Sequence, residues 1–141
     1  MTSTTTEHPA NAAPLGSLSH GLALTGRLLI AVIFILAGAN KLTDPAGTIG
    51  YIASVGLPLP QVAYGGAVAL ELIGGILLVA GYRTRLVALA LAGFSLAAAL
   101  LFHANLGDQN EFIHFFKNLA LAGGLLQVAA FGGGRLSFDG R

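Results

Sequence analysis

The chain has 141 residues, of which 55% are hydrophobic and only 9% are charged, whereas an ordinary soluble domain is roughly 25% charged. With a mean hydropathy of +0.78, this composition indicates a single-domain integral membrane protein. The net charge of +1 offers no basic patch for nucleic acid. Because the chain has no cysteine, thiol–disulfide exchange, iron–sulfur ligation and thiolate metal sites are excluded.

Residues 1–20 are predicted to form a disordered N-terminal tail, because they are rich in Thr, Ser, Ala and Pro and show no periodicity. They also lack the Lys or Arg that precedes the apolar core of a secretory signal. The segment Ala37-Gly38-Ala39 resembles a cleavage site. Since further spans follow it, we nevertheless favour an uncleaved first helix.

The first predicted helix covers about residues 22–39. Both of its charged positions fall on one helical face, at spacings of four and three: Arg27, Ala31, Phe34, Gly38 and Lys41. Lys41, at the helix end, can extend its ammonium group to the interface. Arg27 lies inside the apolar run, so extension of its side chain to the interface accounts less well for its charge there.

A short helix follows, because Asp44-Pro45 is typical of an N-cap with proline at the first helical position. Gly56 and Pro58 supply the stop signal. About eleven residues cannot cross a bilayer. We therefore predict a helix that lies at the membrane surface.

The second spanning helix covers about residues 61–81 and carries Glu71 near its middle. Small residues share the helical face of this carboxylate: Ala67, Gly74 and Gly75. They allow a neighbouring helix to come close, so Glu71 should face protein and not lipid. Intramembrane carboxylates are usually functional, although a tolerated or protonated Glu on a packing face is the alternative.

Two further spans are predicted, at about residues 86–103 and 111–131. The first has a stripe of small residues that ends on a histidine: Ala88, Ala92, Ser95, Ala99 and His103. The second has His114, Lys117 and Asn118 near its start. His103 should therefore point into the bundle near one membrane face.

These elements predict an all-α membrane protein, an up-down-up-down bundle of four transmembrane helices with a short interfacial helix in the first outer loop. The membrane domain would cover residues 21–132, and residues 133–141 would form a short C-terminal tail. One side of the membrane would hold Arg83, Arg85, Arg135 and Arg141. The positive-inside rule then places both termini in the cytoplasm of a bacterial inner membrane.

This topology sets the depth of each polar residue. Counting about 1.5 Å per residue from the middle of each span places Glu71 near the bilayer centre and Arg27 about 5 Å to its cytoplasmic side. A buried carboxylate needs a partner, so we predict an Arg27–Glu71 ion pair or shared hydrogen bond. The other polar residues predict a pocket that opens outward above Glu71: Asn40, Lys41, His103, Asn105, Lys117 and Asn118.

Three functions are compatible with this pocket. A quinone or other small redox molecule could bind between the helices, with Glu71, Arg27 and His103 as candidate catalytic groups and Lys41 and Asn118 as candidate binding groups. Alternatively, the pocket binds or conducts a small molecule without chemistry, or the polar groups only lock the helices of a scaffold together. No metal site is predicted, because the spacing of the outer-loop His, Asp and Glu residues matches no strong ligand pattern.

The sequence resembles the DoxX family of small bacterial membrane proteins over about residues 22–131. The resemblance is carried by the order and spacing of short motifs: Arg27-Leu28-Leu29, Phe34, Gly38, Lys41-Leu42, Gly56-Leu57-Pro58, Glu71, Gly74-Gly75, Gly81 to Leu86, Ala88, His103, Asn118 and Gly123-Gly124. It implies a four-helix membrane bundle. The positions that match the family pattern include most of the candidate site residues: Arg27, Lys41, Glu71, Arg83, His103 and Asn118.

For activity, the resemblance implies a link to quinones and to oxidoreductase complexes. The family is named for its similarity to a small subunit of a terminal quinol oxidase and thiosulfate:quinone oxidoreductase, and members are associated with complexes that handle thiol and oxidative stress. We therefore expect an accessory subunit that borrows its redox centre from quinone or from a membrane-associated redox partner. Gly123-Gly124 with Gln127 could pack against a second copy of the chain, giving a homo-oligomer, or against the first helix.

Overall fold

A computed structural model describes residues 13–140, which are helical throughout their long elements. The helices are α1 (Ala13–Thr43), α2 (Pro45–Ser54), α3 (Pro60–Ala80), α4 (Thr84–Phe102) and α5 (Gln109–Phe131). Four of them, all except α2, are long and apolar enough to cross a membrane. The predicted fold class, four spanning helices with one short helix in the first loop, is confirmed.

Helix α1 begins well before the predicted start at residue 22. Residues 13–20, which we expected to belong to a disordered tail, continue the helix instead, and residues 1–12 lie outside the described part of the chain. The Thr/Ser/Pro-rich composition concealed this extension.

Local signals explain most helix boundaries. Asp44 caps α2 through its carboxylate, which accepts a hydrogen bond from Gly47 N at 2.9 Å, and proline occupies the first turn as predicted. Asp108 caps α5 in the same way, accepting from Asn110 N and Glu111 N at 2.9 and 3.0 Å. Gly81 ends α3 with φ +70°, a left-handed conformation that favours glycine.

Helix α1 packs closely on α3 because glycines remove side chains from the contact. A Cβ atom at Gly75 would lie 2.6 Å from Ile35 Cγ1, and one at Gly38 would lie 2.8 Å from Leu72 Cγ. Helix α4 packs mainly on α5. The buried core between the two helix pairs consists largely of Ala31, Phe34, Leu78, Val87, Ala88, Leu91, Ala92, Ala122 and Leu125.

Residues 132–140 fold back across the turn between α3 and α4. Phe138 N donates to Ala80 O at 3.2 Å, and Asp139 N donates to Gly81 O at 3.0 Å. The Asp139 carboxylate accepts from Arg83 N at 2.8 Å and from Thr84 N at 2.7 Å, and so caps α4. We call this the tail end of the bundle, and the opposite end, which carries α2, the α2 end.

Candidate functional site

Glu71 and Lys41 form a buried ion pair between α3 and α1. The Lys41 ammonium donates to Glu71 Oε1 at 2.9 Å and lies 2.9 Å from Oε2. Glu71 is only 4% exposed, which confirms that it faces protein. The neighbouring Gly74 and Gly75 are buried as well, so the small-residue face has the expected role of admitting a neighbouring helix.

The predicted Arg27–Glu71 pair is wrong. Arg27 is 1% exposed, and its guanidinium group donates to three backbone carbonyls at the tail end, those of Gly133, Val79 (3.2 Å) and Leu136 (2.8 Å). The antiparallel register of α1 on α3 places Gly38 against Leu72 and Glu71, so Arg27, about three turns earlier in α1, lies beside the end of α3. Lys41, whose flexible side chain reaches back along α1, takes the place beside Glu71.

A cavity of about 360 Å³ lies at the α2 end, with the ion pair on its wall. The predicted pocket beside Glu71 is therefore present, and it also contains His103, Lys117 and Asn118. Most of its surface is apolar, from α1, α3, α4 and α5: Ile33, Phe34, Ala37, Ala63, Ala67, Phe94, Ala97, Ala98, Leu101, Phe102 and Leu121. Arg27 does not line this cavity, whereas the other candidate residues do.

Helix α2 closes one side of the cavity, a role that the sequence did not indicate. Thr48, Tyr51 and Ile52 line the cavity from α2. The Tyr51 hydroxyl donates to Phe102 O at 3.1 Å, and the two rings lie 5.4 Å apart. Partial burial and, secondarily, the negative charge of Glu111 raise the pKa of Tyr51 above its ordinary value, so the phenol stays a donor. The helical spacing of Thr48, Tyr51 and Ile52 was the only available signal.

A chain of polar side chains leads from the α4–α5 loop toward the cavity. His103 Nδ1 lies 2.7 Å from a Glu111 carboxylate oxygen, and the His103 and His114 rings stack at 5.0 Å. Lys117 Nζ lies 2.9 Å from His114 Nδ1. The sequence placed these residues near each other, and the structure adds the specific contact between His103 and Glu111.

Asn118 is partly committed to its own helix. Its amide nitrogen donates to His114 O at 3.0 Å, and the second N–H of that group remains for a cavity ligand. Within residues 13–140, no group of three or more His, Asp or Glu side chains is arranged to hold a metal ion. The polar side chains of the cavity can donate or accept hydrogen bonds and can pair with a charged group of a ligand.

The family assignment follows from the match of residues 22–104 to the family model described as DoxX. The chain belongs to the DoxX family. The matched region contains the buried ion pair and His103, and it ends before α5. The part of this DoxX protein that matches the family model therefore includes both residues of the ion pair, Lys41 and Glu71.

Two relatives from Escherichia coli (strain K12) match over most of their length. Inner membrane protein YqjF is 40% identical over 119 residues, covering 82% of this chain and 88% of YqjF. Inner membrane protein YphA is 36% identical over 125 residues, covering 85% and 89%. A Bacillus subtilis (strain 168) protein named "Putative oxidoreductase CatD" is 41% identical over 66 residues, covering 47% and 48%. No solved structure matches the chain significantly.

Proposed function

We propose that this DoxX protein binds a quinone headgroup in the cavity at the α2 end and acts as the membrane subunit of an oxidoreductase complex. The observation that carries the proposal is an ion pair, Lys41–Glu71, on the wall of a mainly apolar cavity. A polar group retained at such a position is usually functional. The name of CatD, which is similar over about half of this chain, supports an oxidoreductase role.

The cavity chemistry fits a flat ring with oxygens at its edge. Its volume of about 360 Å³ lies within the range of about 300–1,000 Å³ for small-molecule pockets, which are mostly apolar with a few placed polar groups. Phe34 and Phe94 supply apolar wall. Lys41, and the second N–H of Asn118, are donors for carbonyl oxygens.

Quinol oxidation to quinone releases two electrons and two protons. The protons would go to the Glu71 carboxylate and to His103 Nε2. Glu111 holds Nδ1 of that ring, which favours the tautomer with Nε2 as the acceptor. Because the chain has no cysteine, the electrons would pass to the redox centre of a partner protein.

A lateral opening between α3 and α4 is our proposed route from the bilayer. The two helices are joined by a tight turn at the tail end, and they touch at mid-span, where Gly74 lies against Leu91. Toward the α2 end, small residues line the cavity on both helices: Ala63 and Ala67 on α3, and Ala97 and Ala98 on α4. A molecule with an apolar tail could enter there without crossing water.

The membrane orientation is part of the proposal. Four spans bring the start of α1 and the C-terminal segment to the same side. We place that side in the cytoplasm, because Arg83, Arg85 and Arg135 lie there and basic residues favour the cytoplasmic face. The cavity would then lie toward the outer face of the inner membrane, the compartment named for YqjF and YphA.

The decisive experiment measures binding of a short-chain ubiquinone and of menadione to the purified chain in lipid nanodiscs. Lys41→Met removes the proposed donor to a quinone carbonyl and should weaken binding about tenfold, roughly the value of a hydrogen bond from a charged group, whereas Ser95→Ala, a buried position outside the cavity, should not change it. Quinol oxidation is then measured with the redox partner present. If Lys41→Met lowers thermal stability and leaves quinone affinity unchanged, the ion pair only locks α1 to α3, and the scaffold function replaces the proposed one.

A further inference from the structure

A second cavity lies at the tail end, on the opposite side of the bundle from the proposed quinone site. It is an open groove of about 450 Å³ lined by Tyr82, Arg83, Arg85, Leu86, Gly132 and Asp139. The groove combines two guanidinium groups with two exposed apolar side chains, those of Tyr82 and Leu86. This mixture is typical of the boundary between headgroups and acyl chains.

The backbone of the groove is held in place. Asp139 accepts hydrogen bonds from Arg83 N and Thr84 N at 2.8 and 2.7 Å, and Arg83 itself has φ +47°. The Asp139 carboxylate is thus engaged by the start of α4. In contrast, among residues 13–140 no hydrogen bond or ion pair is found for the guanidinium group of Arg83 or of Arg85. Their donors therefore remain for a ligand.

The groove also lies at the level of the membrane surface. Helix α3 ends at Ala80 and α4 begins at Thr84, and both are spanning helices, so the turn between them must meet the headgroup region. The C-terminal segment beside it presents Leu136 and Phe138, which are 54% and 82% exposed. Large apolar side chains at this position favour the bilayer interface over open water.

We infer that this groove binds the phosphate group of an anionic phospholipid, with Arg83 and Arg85 on the phosphate and Tyr82 and Leu86 against the glycerol and upper acyl chains. Guanidinium groups suit phosphate because they offer several N–H donors in one plane. A soluble phosphate would gain nothing from the apolar side chains. This inference is independent of the quinone proposal.

The test uses the full chain in nanodiscs with titrated fractions of phosphatidylglycerol in phosphatidylcholine. Bound phosphatidylglycerol is counted by native mass spectrometry after gentle detergent extraction. The wild type should retain phosphatidylglycerol in preference to phosphatidylcholine. The double variant R83Q/R85Q should lose roughly 25-fold in this preference, about fivefold per arginine as expected for basic residues near an anionic surface. R83K/R85K, which keeps the charges but loses the planar donors, should retain only part of the preference.

The matched control is Lys117→Gln, which removes a positive charge at the α2 end and should leave the preference unchanged. Circular dichroism establishes that each variant is folded. Equal losses in Lys117→Gln and in a single Arg83→Gln variant would show an effect of net charge alone and overturn the site. Displacement of the lipid by millimolar inorganic phosphate would overturn the lipid assignment in favour of a soluble anion. Equal retention of both lipids by the wild type would also overturn it.

Discussion

Lys41 Nζ lies 2.9 Å from each carboxylate oxygen of Glu71, so the acid in the middle of α3 is paired from the last turn of α1. Lys41 remains partly exposed while Glu71 is almost completely buried. Both side chains line the cavity, but only that of Lys41 remains partly accessible. Removing one partner should have a different effect from removing both.

We expect Lys41→Met to lower stability more than the double variant Lys41→Met/Glu71→Gln, because the single change leaves a buried carboxylate without its partner. A coupling energy of about 1–2 kcal/mol is expected for contacting residues. Apparent melting temperatures of the four proteins in the same detergent provide the double-mutant cycle. Additive effects of the two changes would contradict a direct interaction.

Arg27→Leu should be strongly destabilising, by about 2–4 kcal/mol, because it removes the charged donor from the carbonyls of Val79, Gly133 and Leu136. Arg27→Lys should recover only part of this loss, since an ammonium group cannot reproduce the planar arrangement of donors. Thermal unfolding in detergent measures both variants. Arg85→Gln, an exposed arginine at the same end, is the control and should change stability little. Quinone affinity of folded Arg27→Lys should equal that of the wild type.

Asp139→Ala should cost about 1 kcal/mol, the usual loss for removing an N-cap side chain, because Arg83 N and Thr84 N lose their acceptor. Deleting residues 135–141 should cost more, since Arg27 then also loses the carbonyl of Leu136. Both are measured by thermal unfolding. A truncated chain as stable as Asp139→Ala would show that the contact with Leu136 contributes nothing.

Two glycines in the spans should respond in opposite directions to alanine. At Gly75 a Cβ would meet Ile35 Cγ1 at 2.6 Å, so Gly75→Ala must separate α1 from α3 and should cost about 1–3 kcal/mol. At Gly123 no atom lies within 4 Å, so Gly123→Ala should be neutral or stabilising by up to about 1 kcal/mol.

Gel filtration of Gly123→Ala separately tests self-association. A shift to the monomer would show that this exposed face of α5 contacts another copy.

The proposed orientation can be tested with single cysteines, because the chain has none of its own. Phe138→Cys at the tail end should be protected from a membrane-impermeant maleimide in intact cells, and Leu106→Cys in the α4–α5 loop should react. Permeabilised cells, in which both should react, provide the control. The reverse labelling pattern would place the tail end outside the cytoplasm.

Most of the fold could be predicted from sequence because apolar length and helix caps are local signals. The Asp44-Pro45 start of α2 and the small-residue face around Glu71 both appear as predicted. The partner of Glu71 could not be predicted in the same way, since it depends on the register between α1 and α3. In the structure Gly38 lies opposite Glu71 and Leu72, so Lys41 reaches the carboxylate, whereas Arg27 lies beside Val79 near the end of α3.

The remaining differences concern contacts between segments that are distant in sequence. The sequence of residues 133–141 predicts only a short polar tail, and nothing within it indicates that Asp139 caps α4 or that Leu136 O accepts from Arg27. Likewise, Gly124 packs against Ile30 of α1, whereas Gly123 and Gln127 are exposed. Packing against the first helix therefore applies to Gly124. Packing against a second copy of the chain stays a prediction for Gly123 and Gln127, on another side of α5.

The C-terminal segment connects the two helix pairs. Arg27 ties it to α1, and Asp139 ties it to the start of α4, beside the covalent turn from α3. At the α2 end, in contrast, the pairs are separated by the cavity. A ligand that forces the two helix pairs apart would therefore separate them at the α2 end. The contacts of the C-terminal segment would keep the pairs together at the arginine-rich end.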